Sequence, residues 1–182
     1  MRLFLAIDLP EKIKEELDAQ IHDLRKQYPD FNWVSKKNFH ITVHYFGETN
    51  NLEKIKEKIK DLLFASIGFY LYSTAVDVFA NHKLVIHLEF KREKKLEDVA
   101  EMIKNNFDGN EYNEKKFIPH LTLARGRRSS KQQYFALKKK MQKVNIDISF
   151  KTRKLVLFES ILEGGKPIYK KLASLKLLDK VD

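Results

Sequence analysis

The stretch Phe39-His40-Ile41-Thr42-Val43 and its near copy Pro119-His120-Leu121-Thr122-Leu123 decide how this chain folds. Each places a histidine and a threonine two residues apart in a run of β-branched and aliphatic residues, which is typical of a strand. In a strand, residues i and i+2 point to the same side of the sheet. We therefore expect the His and Thr of each stretch to share one exposed face, while the aliphatic residues between them face the core.

The elements around these two stretches repeat in one order. Each stretch is preceded by an amphipathic helix and followed by a second helix and a β hairpin, which indicates a duplicated α+β unit. Strands outnumber helices, which favours antiparallel sheets covered by helices. No linker divides the chain, so we expect one domain, 1–182. The predicted helices are 10–26, 52–63, 96–107 and 130–143; the predicted strands are 1–10, 39–46, 69–78, 84–90, 117–125, 146–150, 154–162 and 166–175.

Composition narrows the class of protein. No apolar run approaches the roughly 18 residues that span a bilayer, and an export signal is not evident, so we expect a cytoplasmic protein. The chain has no cysteine, which excludes disulfides and thiol chemistry. Lys and Arg outnumber Asp and Glu by 35 to 25, and a formal charge of +10 favours a polyanionic partner such as nucleic acid. Adaptation to high temperature explains such a surface equally well.

The two His-x-Thr stretches carry the chemistry. Random placement of six His and five Thr would give fewer than one such triplet, yet two occur. Two histidines on rigid strands form an acid–base pair, and a Thr hydroxyl beside each can donate to a phosphate oxygen. Facing stretches would thus hold one phosphodiester between His40, Thr42, His120 and Thr122. A catalytic metal usually needs three protein ligands, and no carboxylate accompanies either histidine at ligand spacing, so we expect no metal and no cofactor.

Other polar residues near these stretches are secondary candidates. His44 and Phe46 continue the alternation from His40, so they would line the cleft, although a surface histidine and a packing aromatic are equally consistent with the pattern. Arg125 is the best phosphate contact in the cluster Arg125-Gly126-Arg127-Arg128, because arginine binds phosphate with two parallel hydrogen bonds. Strict alternation from His120 would aim Arg125 at the opposite face, so its use requires the strand to end or twist.

The remaining histidines and the lysine pairs are weaker signals. We interpret His22, His82 and His87 as structural or surface residues. The pairs Lys36-Lys37 and Lys115-Lys116 precede the two stretches at similar offsets and would place positive charge at both rims of a cleft. Solvated loops would show the same pattern.

Further segments accompany the paired stretches: Arg2-Leu3-Phe4-Leu5-Ala6-Ile7-Asp8-Leu9-Pro10, Trp33-Val34, Phe46-Gly47-Glu48, Ala124-Arg125 and Gly165-Lys166-Pro167-Ile168-Tyr169. Together they resemble, from end to end, the 2H phosphoesterase superfamily, and within it the bacterial and archaeal RNA 2′,3′-cyclic phosphodiesterases once called 2′–5′ RNA ligases. The resemblance implies a bilobal α+β fold with pseudo-twofold symmetry, in which two antiparallel sheets line a central cleft and helices cover the outer faces.

The resemblance also implies an activity and roles. A terminal 2′,3′-cyclic phosphate of RNA, tRNA fragments included, would be hydrolysed to a 2′-phosphate by a monomer. His40 would donate a proton to the leaving 3′ oxygen, His120 would accept one from water, and Thr42, Thr122 and Arg125 would bind the phosphate. Two alternatives stay open: joining of cyclic-phosphate and 5′-hydroxyl RNA ends into a 2′–5′ link, and a non-catalytic module that binds single-stranded RNA.

Overall fold

The computed structural model describes residues 1–80, 82–108, 117–127 and 130–179. A short 3-10 helix, Lys36–Asn38, precedes the first His-x-Thr strand. In chain order the other elements are β1 Arg2–Asp8, α1 Glu11–Gln20, α2 His22–Gln27, β2 Asn32–Trp33, β3 His40–Glu48, α3 Leu52–Leu63, β4 Phe69–Ala80, β5 Leu84–Phe90, α4 Lys94–Phe107, β6 His120–Gly126, α5 Lys131–Met141, β7 Ser149–Thr152, β8 Lys154–Glu163 and β9 Lys166–Lys176. The predicted order of helix, His-x-Thr strand, helix and hairpin therefore occurs twice, as α1–β3–α3–β4/β5 and as α4–β6–α5–β8/β9.

The named strands form one antiparallel sheet in the order β7-β4-β5-β6-β3-β1-β8-β9, with β2 paired to β6. Its two central strands, β3 and β6, pair through Ile41 and Leu121 alone among the described residues. The α+β class with antiparallel strands is thus confirmed. The two expected sheets are halves of one sheet, because this central pair links β3-β1-β8-β9 to β7-β4-β5-β6.

The halves correspond strand by strand. β1 and β5 pair with the His-x-Thr strands β3 and β6, and they do so in matching register: Asp8 lies opposite His40 as Glu89 lies opposite His120. The hairpin that follows each His-x-Thr strand belongs to the other half of the sheet. β4 follows β3 and α3 in the chain but pairs with β5, beside β6. β8 follows β6, α5 and β7 but pairs with β1, beside β3. Each half therefore contains strands from distant parts of the chain, as the expected pseudo-twofold arrangement requires.

The main core lies between one face of the sheet and the helices. The aliphatic residues of both His-x-Thr stretches belong to it, because Ile41, Leu121 and Leu123 are fully buried and Val43 is nearly so. Each such side chain contributes roughly 1.5–3 kcal/mol by leaving water. This packing confirms the predicted alternation and turns the histidines and threonines to the opposite face of the sheet.

A second, smaller apolar cluster lies on that opposite face, in the half that contains β1. Its buried members are Phe4, Ala6, Val156 and Phe158, and Tyr169 packs against them. Phe4 and Phe158 stack with ring centroids 5.2 Å apart. This half therefore has an apolar floor on the face that carries His40.

Several boundaries differ by a few residues from the predictions, and two of the differences have a local explanation. The predicted helix 10–26 is divided at Ile21, yet the amide of Ile21 donates to the Leu17 carbonyl, so the helical hydrogen bonds run almost without interruption. β7 begins later than predicted because the Ser73 hydroxyl donates to the Ile146 carbonyl and accepts from the Ile148 amide. A side chain thus replaces the strand ladder there.

Among the described residues, no helix has the length and apolarity needed to cross a membrane.

Candidate active site

All five predicted site residues line one pocket of about 360 Å³ at the junction of the two halves. They are His40, Thr42, His120, Thr122 and Arg125. Three residues that sequence reasoning did not select complete the lining: Tyr45, Phe79 and Val85. The pocket therefore combines two imidazoles, three hydroxyls and a guanidinium with an apolar wall.

The central strand pair explains why both stretches meet. Ile41 lies opposite Leu121 in an antiparallel pair. Extending this register by one residue in each direction sets His40 beside Thr122 and Thr42 beside His120. Each histidine is thus accompanied by the threonine of the other stretch, and a group held between the strands meets one imidazole from each side.

Both imidazoles are fixed by the same hydrogen bond. His40 Nδ1 lies 2.7 Å from the Asn38 carbonyl, and His120 Nδ1 lies 2.9 Å from the Ile118 carbonyl. Because a carbonyl oxygen only accepts, each Nδ1 carries the proton, and Nε2 is the atom free to exchange protons in the pocket. The Asn38 side chain in turn donates to the Pro167 carbonyl at 2.9 Å, which ties the loop before His40 to β9.

A β-bulge brings Arg125 into the pocket. Between β5 and β6 the register passes from His87–Thr122 to Ile86–Ala124, so Leu123 has no partner in β5. Leu123 and Ala124 are both buried, and this extra residue turns Arg125 back to the pocket face. The strand irregularity that Arg125 needs in order to reach the pocket is therefore present, as the bulge in β6.

The same irregularity in β3 corrects the interpretation of His44. There the register passes from Ala6–Thr42 to Leu5–His44, and the strand turns Tyr45 to the pocket instead. His44 is neither a cleft nor a surface residue: it is buried, 4.7 Å from the ring of Phe46, and its Nε2 lies 3.2 Å from Asp108. Burial lowers the pKa of His44, against the pull of Asp108.

Phe46 packs against the main core and not in the pocket. Of the three lining residues that sequence reasoning did not select, Tyr45 is the one whose side chain forms a hydrogen bond with a predicted site residue. The sequence contained an indication of this role, because Tyr45 follows His40 at the same distance in the sequence at which Arg125 follows His120. The Thr42 hydroxyl donates to the Tyr45 hydroxyl at 3.2 Å.

The surroundings of His40 are apolar. Its ring lies 5.1 Å from that of Phe4 and 5.1 Å from that of Tyr169, the latter edge-on. Burial lowers the pKa of His40; the bond to Asn38 acts in the opposite direction, and the positive charge of Arg125 adds to the lowering. The neutral ring is therefore favoured in the unliganded protein.

His120 has different neighbours. Its ring meets Phe79 edge-on at 5.1 Å and His87 at 5.6 Å. His87 is fully buried, stacks on Phe79 at 3.7 Å and lies 3.4 Å from Glu89, and burial lowers its pKa. The structural interpretation of His87 fits this packing, although His87 lies directly behind the pocket.

Other predicted candidates lie elsewhere. His22 and His82 are exposed and do not line the pocket. Lys36 forms an ion pair with Glu15 at 3.7 Å, and Arg127 lines a separate cavity. The positions 115, 116 and 128 lie outside the described residues. Across the described ranges, no three His, Asp or Glu side chains cluster as metal ligands.

Similarity to known proteins extends over most of the chain. A model of the 2′-5′ RNA ligase superfamily matches residues 13–161. The chain is 30% identical to an RNA 2′,3′-cyclic phosphodiesterase of Thermotoga maritima over 183 residues, covering 94% of this chain and 93% of the relative. It is 32% identical over 172 residues to the protein of the same name from Methanocaldococcus jannaschii, covering 93% and 96%.

Solved structures share the fold. E. coli LigT without ligand aligns with a TM-score of 0.68 at 26% identity, covering 97% of this chain and 96% of LigT. LigT in complex with 3′-AMP aligns with a TM-score of 0.73 at 23% identity, covering 97% of both chains. The arrangement of strands and helices described above is therefore that of a LigT-type protein.

Proposed function

The chain belongs to the 2′-5′ RNA ligase superfamily, and from this membership we propose that it hydrolyses the 2′,3′-cyclic phosphate at the 3′ end of RNA to a 2′-phosphate. One observation carries the proposal: two histidines with the same Nδ1–carbonyl bond line one pocket together with two threonines and an arginine. Curated relatives named RNA 2′,3′-cyclic phosphodiesterase support a phosphoesterase.

In the proposed reaction, Nε2 of neutral His120 takes a proton from water as the water oxygen attacks phosphorus. The P–O3′ bond breaks, and protonated His40 gives its Nε2 proton to the 3′ oxygen. The two Thr hydroxyls and the Arg125 guanidinium donate to the phosphoryl oxygens, where charge develops. These residues supply the acid, the base and the phosphate contacts, and we propose that no metal is needed.

The burial of His40 imposes a condition on this assignment. The neutral form of His40 is favoured without substrate, whereas the acid must be protonated. A phosphate anion in the pocket stabilises the charged imidazole and offsets the positive charge of Arg125. We propose that substrate binding itself raises the pKa of His40 and so prepares the acid.

The decisive experiment is incubation with a 2′,3′-cyclic mononucleotide, with chromatographic separation of the two possible monophosphates. We expect the 2′-monophosphate, with turnover retained after dialysis against a chelator. Loss of turnover on chelation would reject the metal-free mechanism. Exclusive formation of the 3′-monophosphate would mean that the P–O2′ bond breaks, which contradicts the proposed orientation.

RNA ligation is a second candidate, favoured by the description of the matching family as RNA ligases. A 5′-hydroxyl of a second RNA would replace water as the nucleophile, and the same two histidines would serve. Water is far more concentrated, so we expect hydrolysis to dominate. Incubation of cyclic-phosphate RNA, tRNA fragments included, with a 5′-hydroxyl acceptor would reveal any 2′–5′ product. We propose that the protein acts as a monomer.

A further inference from the structure

A second cavity, of about 500 Å³, adjoins the site through Asp8. Asp8 lies opposite His40 in the β1–β3 register, and it also lines this cavity. The cavity lies between the end of β1, the start of α1 and the connection from β7 to β8. The cavity and the pocket have no lining residue in common. They are adjacent because Asp8, which lines the cavity, is the strand partner of His40, which lines the pocket.

The cavity is basic. Five of its lining residues carry positive charge and two carry negative charge. Lys14 and Lys171 both bind Asp8, at 2.7 Å and 2.5 Å, and so compensate its charge. Arg153 and Lys154 are exposed, and neither forms an ion pair within 4 Å in the part of the chain that the structure describes, although the charge of Arg153 helps to lower the pKa of the exposed Asp179. These two cations are therefore available to a ligand.

Two uncharged features indicate a ligand that accepts hydrogen bonds. Thr152 is 3% exposed and lines the cavity, yet its hydroxyl has no partner among the described residues. A buried hydroxyl without a partner costs free energy unless a ligand binds it. The ten-residue helix α1 begins at the same cavity, and no side chain caps its first amide groups.

We propose that this cavity binds a backbone phosphate of the RNA strand whose cyclic end occupies the catalytic pocket. The inference rests on the proposed function and adds a second contact for the same substrate. Arg153 and Lys154 provide the charge, and the Thr152 hydroxyl with the first amides of α1 provides the donors.

A path along the surface connects the two sites. Tyr169 and Lys171 lie two residues apart on β9 and share a face. Tyr169 contacts the ring of His40, while Lys171, whose side chain is 58% exposed, binds Asp8. A strand that leaves the pocket past Tyr169 therefore passes over Lys171 before it reaches the cavity. This continuity favours a phosphodiester of the substrate over an unrelated free anion.

The test compares two substrates: a 2′,3′-cyclic mononucleotide, which fills only the pocket, and a short single-stranded RNA with a 2′,3′-cyclic phosphate end. In the double variant R153Q/K154Q we expect KM for the RNA to rise about tenfold, with mononucleotide turnover within about twofold of wild type. The salt dependence of RNA binding should also weaken, by about 0.7 in the slope of log K against log salt for one lost contact.

A matched control has the same loss of charge on α3, no residue of which lines the cavity. Lys54 and Lys60 are exposed on α3, whose apolar side packs on the main core. The K54Q/K60Q variant should leave KM for the RNA near the wild-type value. If this control raises KM as much as R153Q/K154Q does, the effect is that of net charge, and the second site is rejected.

Thr152→Val removes the hydroxyl and keeps the shape. We expect KM for the RNA to rise several-fold, while the Tm without RNA stays equal or increases, because an unpaired buried hydroxyl is lost. A fall in Tm with no change in KM would overturn the role of Thr152. Binding of inorganic phosphate is the remaining measurement. If R153Q/K154Q weakens the binding of phosphate but leaves the binding of RNA unchanged, the site takes a free anion and the proposal is wrong.

Failure of the second site and failure of the proposed function are distinguishable. Absence of mononucleotide turnover in the wild type would reject the function alone. RNA binding can then still be measured by fluorescence anisotropy on the H40A/H120A background, with and without R153Q/K154Q. Equal affinity of these two variants for the RNA would reject the second site.

Discussion

The two halves of the pocket share a backbone and differ in their packing. In each half a histidine donates from Nδ1 to the carbonyl two residues earlier, and a bulge turns the fifth residue after that histidine toward the pocket. Around His40 the neighbours are aromatic, whereas His120 has a second imidazole, His87, in the place that Ala6 occupies in the other half. Duplication thus supplies the geometry, and burial among the aromatic neighbours lowers the pKa of His40.

The acidic residues behind the histidines differ in the same way. Asp8 is opposite His40, and although burial raises its pKa, hydrogen bonds from Lys14 and Lys171 bring the pKa below its ordinary value. Glu89 is opposite His120 and lies near the buried ring of His87. One half therefore holds a compensated carboxylate, and the other a carboxylate beside a titratable ring. In the proposed reaction, this asymmetry would let the two similar stretches serve as acid and base.

Replacing either of the two histidines proposed as acid and base gives the largest expected effect. His40→Ala and His120→Ala should each lower kcat by roughly 10²–10⁴-fold, because each removes one proton transfer. The double variant should lose less than the product of the two factors, since the residues act as a unit. The exposed His82 provides the control, as His82→Ala should retain wild-type turnover. Full activity of either His40→Ala or His120→Ala would reject the assignment of these two histidines as acid and base.

Arg125 and Tyr45 occupy equivalent places and test whether the halves bind phosphate equally. Arg125→Gln should lower kcat/KM about 10–100-fold, because a charged hydrogen bond to the phosphate is lost. Tyr45→Phe should cost no more than about threefold, since it removes only the partner of the Thr42 hydroxyl. Steady-state kinetics with the cyclic mononucleotide measure both. Equal losses would show that the phosphate lies midway between them.

The threonines should have smaller effects. Thr42→Val and Thr122→Val keep the shape and remove one neutral hydrogen bond each, which corresponds to roughly 2–10-fold in kcat/KM. The Thr42 hydroxyl already donates to Tyr45 without substrate, so it must change partner on binding, and we expect the smaller loss there. A larger loss in Thr42→Val than in Thr122→Val would reverse this ranking of the halves.

The protonation of His40 should respond to the ligand. Burial lowers the pKa of His40 in the free protein, so its neutral form extends below pH 6.5, the ordinary value. A phosphate in the pocket should raise that pKa. Titration of the ring protons by NMR, with and without inorganic phosphate, measures the change, and H40A identifies the signal. An unchanged pKa on binding would contradict the proposed preparation of His40 as the acid.

The smallest effect concerns stability. His44 and His87 are buried with lowered pKa values, so the unfolded chain binds more protons below pH 6.5. Their neutral forms therefore contribute full stability above that pH, and this contribution is lost as the pH falls toward their folded pKa values. As the pH is lowered, the free energy of unfolding should decrease less in His87→Leu than in the wild type, by about 1 kcal/mol or less. Urea denaturation at several pH values measures it, with the exposed His22→Gln as control.

The sequence by itself determined the local pattern. The alternation of His and Thr with aliphatic residues predicted which side chains are buried, and the five proposed site residues line one pocket. The order of helices, strands and hairpins followed from periodicity, because hydrophobic spacing is a property of neighbouring residues.

Tertiary structure alone decided how the two stretches meet. The bulges that expose Arg125 and Tyr45 and bury His44 arise from pairing with strands distant in the sequence, so alternation by itself was wrong for His44. Among the residues that the structure describes, the pair of Ile41 with Leu121 is the strand pairing that joins the halves. The aromatic surroundings of His40 come from β1, β8 and β9, near both ends of the chain. Local periodicity cannot encode these contacts, because register and desolvation depend on which segments pack together.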